Sequence, residues 1–114
     1  MPHFIIHCSK GAIANHDVKK IVHLVHDTAD GTGLFAKGNI KARIQTFDTY
    51  TVGGGSDDFM HIFGYIMSGR TTEQKAELSR AIITALKPLF PELPVLSINI
   101  DEFDKATYCN KSML

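Results

Sequence analysis

The chain has 114 residues, 44% apolar and 21% charged, and its twelve basic and twelve acidic side chains leave no net charge. That length supports one hydrophobic core, and the balanced charge excludes the basic footprint of an electrostatic nucleic-acid binder. No apolar stretch approaches the roughly 20 residues that span a bilayer.

The N-terminus lacks the basic and apolar regions of a secretory signal. Two cysteines, Cys8 and Cys109, imply no disulfide framework. The expectation is a cytoplasmic protein of one domain over residues 1–114, with neither nucleic-acid nor membrane partners.

In chain order, residues 3–8 (HFIIHC) read as a short strand, with β-branched Ile5 and Ile6 between polar flanks. Asn15 or Asp17 can cap the helix that follows. Its apolar stripe is Val18, Ile21, Val22, Val25 and Ala29, and the glycines of DGTG (30–33) end it. Residues 40–47 (IKARIQTF) alternate: Ile40, Ala42 and Ile44 on one face, Lys41, Arg43 and Gln45 on the other. After the VGGGSDD turn, residues 59–67 (FMHIFGYIM) form a third, almost wholly apolar strand. Thr71 and Gln74 match a capping box opening a second helix with core positions Leu78, Ile82, Ala85, Leu86 and Leu89. Pro88 and Pro91 close that helix, and residues 95–101 (VLSINID) make a fourth strand, with Leu96, Ile98 and Ile100 on one face.

The order is β-α-β followed by β-α-β, roughly residues 2–50 and 57–102, with a C-terminal tail. The expected fold is α+β: tandem units forming a four-stranded mixed sheet with two helices on one face. Two helices cover only one sheet face, while the third strand is apolar on both and the first nearly so. The uncovered face therefore predicts self-association.

Several motifs carry little chemistry. GTGLFA (31–36) fits a dinucleotide fingerprint but follows a helix instead of a strand, so its glycines cannot present a helix N-terminus to a pyrophosphate. His23 and His26 share a helical face but lack a third ligand at a recognised spacing, which favours a solvated face over a metal site. His61 reads as a satisfied core residue and Cys8 as a small buried hydrophobe. Arg70, in SGR at a strand-to-helix turn, cannot serve the core; it either decorates the surface or meets a polar ligand. Lys41 and Arg43 lie on a face where charge survives only with a reason if that face is an interface.

The segments MPHFIIHCS, TGLF, IKARIQTFDTY and HIFGYIMSGRT stand in order along the chain. On these it resembles the 5-carboxymethyl-2-hydroxymuconate isomerases of the tautomerase superfamily. The resemblance spans nearly the whole chain; a second, more distant likeness is to the macrophage migration inhibitory factor branch.

The resemblance implies a tautomerase-like homotrimer without metal or organic cofactor. Pro2, freed by loss of Met1, would act as general base in keto–enol isomerisation of a 2-hydroxymuconate-like or other small unsaturated acid, within aromatic catabolism. Arg70, Arg43 and Lys41 would hold the substrate carboxylates. Lys41 stands where the family has a first arginine, and His7 where it often has an acid; both departures bear on the substrate more than on the chemistry. A Pro-dependent hydratase, dehalogenase or decarboxylase, or a non-enzymic trimeric binding or signalling protein, is the alternative. A free proline is a secondary amine, and α-amino groups titrate near about 8. Partial burial and nearby cations disfavour its ammonium form and draw that value toward neutrality.

Overall fold

A computed structural model describes residues 1–114 and gives one four-stranded sheet in the order β2-β1-β3-β4. The strands are β1 (His3–Ser9), β2 (Lys41–Phe47), β3 (Phe59–Met67) and β4 (Val95–Phe103). Helix α1 (Val18–Gly31) joins β1 to β2, and α2 (Thr72–Leu86) joins β3 to β4. Each unit pairs its own two strands in parallel, and the units meet where β1 runs antiparallel to β3. The tandem plan expected from the sequence is the plan observed.

Local chemistry sets the ends of both helices. The Asp17 carboxylate, not Asn15, caps α1 by accepting from the Lys19 N–H at 3.1 Å. Gly31 remains helical, and the chain leaves the helix at Gly33, whose φ of 74° an L side chain rarely adopts. Thr71 and Gln74 form the complete capping box of α2, each side chain bonding the other residue's backbone N–H.

Leu89 is a correction. It was expected in the core stripe of α2 but is 40% exposed, whereas Phe90 is 6% exposed. The helix ends at Leu86, and the tighter 3-10 turn Lys87–Leu89, with Pro88 inside it, rotates Leu89 outward and Phe90 inward.

The core lies between the helices and one face of the sheet. Phe4, Ile6 and Cys8 of β1 and Met60, Ile62 and Ile66 of β3 meet Ile21 and Val25 of α1 and Leu78, Ile82 and Leu86 of α2. Gly64 belongs to the same face. A Cβ there would stand 2.5 Å from Ile100 Cδ1 and 3.3 Å from Phe4 Cε1, so the missing side chain makes room for those two. No helix is long and apolar enough to cross a membrane.

The opposite face carries no helix. It presents His3, Ile5 and His7 from β1, flanked by Lys41, Arg43 and Phe47 on β2 and by Phe59, His61, Phe63, Tyr65 and Met67 on β3. The β3 residues of this face are each half-buried within one chain. His61 is therefore not a core residue, as the apolar run around it had suggested. It lies on the open face with Nδ1 bonded to Ser97 Oγ at 2.7 Å and Nε2 to Asn99 Oδ1, both from β4.

Candidate active site

The N-terminus, β1, β2 and the turn after β3 converge at one end of the sheet. Pro2 is buried, and its carbonyl accepts from the Lys41 N–H at 3.0 Å, which ties the terminal residues to the start of β2. The Lys41 ammonium lies over the terminus, donating to Asn39 O at 2.8 Å and approaching Met1 Sδ at 3.6 Å.

Arg70 reaches the same region from the SGR turn. Its Nη2 donates to Leu34 O at 2.6 Å and its Nη1 to Met67 O at 3.4 Å, while the guanidinium sits 5.2 Å from the centre of the Phe35 ring. Phe35 is itself buried and packs edge-on against Phe4 of β1. The TGLF segment is thus the seat of Arg70. Nothing in the spacing of the sequence announces this, because the partners are 36 residues apart. Two of the guanidinium's five N–H groups are spent on carbonyls, and Arg70 also lines a cleft of about 360 Å³ with Gly33, Leu34, Ser68 and Gln74.

The terminal amine titrates below the usual α-amino range. Burial is the largest cause, the charge of Lys41 the second and that of Arg70 the third. Lys41 and Arg70 act on the terminus, whereas Arg43 lies one pleat further along β2, opposite Ile5 in the register. Its Nη1 is 3.1 Å from His3 Nδ1. His3 is held below the ordinary imidazole range by burial, then by Arg43, Lys41 and the terminal amine. Local sequence pattern gives His3 no role; its pairing with Arg43 follows from parallel strand register across 40 residues.

His7 lies elsewhere in the chain. Five residues along β1 place it roughly 16 Å from Pro2, edge-on to Phe47 and Phe63 at ring distances of 5.0 and 5.2 Å. Cys8 is fully buried on the helix side, and desolvation pushes its thiol up to about 11. That is the inert behaviour expected of it. His23 and His26 line an open groove with Lys41 and Arg43 between α1 and the β2 edge, and His26 Nδ1 turns to Asp27 Oδ1 at 2.9 Å.

Comparison with known proteins bears on the family and the fold. The family model for 5-carboxymethyl-2-hydroxymuconate isomerase matches residues 2–114. A 5-carboxymethyl-2-hydroxymuconate Delta-isomerase of Escherichia coli is 28% identical over 109 residues, covering 90% of this chain and 86% of that protein. Among solved structures, a 5-carboxymethyl-2-hydroxymuconate isomerase from Deinococcus radiodurans R1 superposes with a TM-score of 0.81 at 22% identity, covering 96% of this chain and 88% of that one. A fused 4-OT symmetric trimer gives a TM-score of 0.77 at 15% identity, covering 98% and 95% of the two chains. Its tandem β-α-β sheet and its match to the family model from Pro2 to the last residue make this chain a member of the 5-carboxymethyl-2-hydroxymuconate isomerase family, an isomerase with the tautomerase fold.

Proposed function

We propose that the protein is a cofactor-free keto–enol isomerase of small unsaturated 2-hydroxy acids of the 2-hydroxymuconate type, with the Pro2 amine as general base once Met1 is removed. The observation that carries this reading is geometric: Pro2 is buried directly before β1, its carbonyl accepts from the Lys41 N–H, and the Lys41 ammonium lies 3.6 Å from Met1 Sδ; burial, Lys41 and Arg70 also lower the pKa of the amine that Met1 carries there. Pro2 is more buried than Met1, so the amine exposed by losing Met1 would stand deeper in the same cationic surroundings. A base poised near neutral pH transfers protons with the best balance of occupancy and driving force.

In the proposed reaction the Pro2 nitrogen takes the enol O–H proton as the oxygen becomes a carbonyl. The electron pair moves through the conjugated chain, and the prolinium returns the proton to a distal carbon. Lys41 and Arg70 hold the carboxylate next to the reacting oxygen, and their charge stabilises the dienolate as it forms. The same two cations therefore lower the amine's pKa and bind the substrate. Phe63, Tyr65 and their neighbours leave an apolar sheet face that the helices do not cover, which supports a homotrimer assembled on that face.

The test is ketonisation of a 2-hydroxydienoate followed by ultraviolet absorbance, on protein whose N-terminus is read by mass spectrometry. Protein starting at Pro2 should be active, and Pro2→Ala should lose about 10²–10⁴-fold in kcat/KM. Full activity in a chain that retains Met1 would overturn the assignment, because an acylated proline nitrogen is not basic.

A further inference from the structure

Every residue of the TGLF segment, 32–35, bears on Arg70. The Thr32 hydroxyl donates to Ala29 O at 2.6 Å and accepts from the Leu34 N–H at 3.3 Å, which anchors Leu34 to the last turn of α1. Gly33 makes the turn between them with its φ of 74°. Leu34 O then accepts from Arg70 Nη2 at 2.6 Å, and the guanidinium lies over the Phe35 ring at 5.2 Å. Two carbonyls and one ring therefore hold a side chain that on an open surface would sample many rotamers.

The same ring also packs inward. Phe35 is 9% exposed, and its centroid lies 6.2 Å from that of Phe4 in an edge-on arrangement. Phe4 is fully buried and follows Pro2 by two residues. It is closely packed in turn, with Cε1 only 3.3 Å from where a Cβ on Gly64 would stand. One ring thus touches both the strand that carries the amine and the side chain that carries a cation. In a close-packed interior such a ring has little room to slide, so it fixes the relation between the two.

We infer that Phe35 is a positioning residue: with Arg70 on its face and Phe4 at its edge, it sets the separation of the Arg70 cation from the Pro2 amine and presents Arg70 to the substrate already ordered. The inference rests on the reading of the Pro2 end as the active site and gives a role to a ring that takes no part in proton transfer. An arginine ordered before binding spares the ligand that entropic cost. The charge of Arg70 reaches the terminus, since it is one cause of the lowered pKa of the amine carried by Met1. That influence falls with distance, so an unseated Arg70 acts more weakly. The other charged or titratable groups around the amine are Lys41 of β2 and His3 of β1, neither of which Phe35 holds.

The test follows the nitrogen chemical shift of Pro2 against pH by magnetic resonance, in protein that starts at Pro2, and needs no turnover. Arg70→Gln should raise the midpoint. Phe35→Leu should raise it by part of that amount and should add nothing in the Arg70→Gln background. Phe35→Met replaces Phe35→Leu if the latter folds poorly. Phe35→Tyr, which keeps the ring, should leave the midpoint in place. Phe90→Leu should do the same, because it trims a comparably buried ring, 6% exposed, that stacks on His16 at the other end of the sheet. With a 2-hydroxydienoate as substrate, Phe35→Leu should raise KM about two- to thirtyfold, the loss of one cation–π contact. An unmoved midpoint in Phe35→Leu, or an equal rise in the Arg70→Gln background, would overturn the role of Phe35. Wild type that shows these midpoints but no ketonisation would remove the isomerase reading alone.

Discussion

Lys41 and Arg70 lower the affinity of the terminal amine for its proton, and the sign of that effect is measurable. In the proposed reaction the Pro2 amine works only when unprotonated, so kcat/KM should fall as pH drops through its pKa. That amine would stand where burial, Lys41 and Arg70 lower the amine carried by Met1, so removing one of the two cations should raise its pKa. Lys41→Met should therefore move the acid limb of the pH–rate profile to higher pH while also raising KM; an unmoved limb would detach Lys41 from the amine. The two thiols provide a second check at this scale. Cys8 is fully buried with its thiol raised to about 11, whereas Cys109 is exposed. A maleimide or disulfide reagent at mild pH should label one thiol per native chain and two in denaturant.

Among the elements, α2 is the one whose register places Arg70, since the arginine directly precedes the capping box. Thr71→Ala removes a hydroxyl that accepts from the Gln74 N–H at 3.1 Å. The expected cost is about 1 kcal/mol, read as a lower denaturant midpoint with an unchanged m-value. The corner after β1 is held differently. Ser9, fully buried, donates to Asp58 Oδ1 at 2.8 Å and accepts from the Phe59 N–H at 3.1 Å, which bonds the end of β1 to the start of β3. Gly11 sits beside it; a Cβ at that position would stand 2.6 Å from the same carboxylate oxygen, so a side chain there would have to displace Asp58.

At the scale of the molecule, the open sheet face is where the proposed trimer would assemble. Phe63 lies on it between Ile5 of β1 and Asn99 of β4, with the rings of His7 and His61 against its own. In the proposed trimer this face is buried, so Phe63→Asp should give a smaller species by light scattering coupled to gel filtration, with the helix-side core intact. Wild-type protein should run as three chains at the same concentration; a monomeric wild type would remove the trimer from the proposal.

The order and type of every strand and both long helices were legible in the chain, because apolar periodicity and capping chemistry are local. The 3.6-residue stripes of α1 and α2, the alternation of β2 and the Thr71–Gln74 pair each report on residues within one element. Lys41 and Arg43 were also legible as cations on one face of one strand. What local pattern does not contain is register between strands or the reach of one side chain to another element. Only the tertiary structure separates Lys41 from Arg43, bringing the first to the terminus and the second to His3. The seat of Arg70 on Leu34 and Phe35, and the placing of His61 on the open face instead of in the core, were decided there too. Leu89 gave way to Phe90 for a related reason: a helical stripe extrapolated past Pro88 assumes a pitch that the 3-10 turn abandons. The sequence by itself determined the elements and the residue types proposed for proton transfer and carboxylate binding. The packing of β1 between β2 and β3 decided which of those residues share a site, because that contact joins segments about forty residues or more apart.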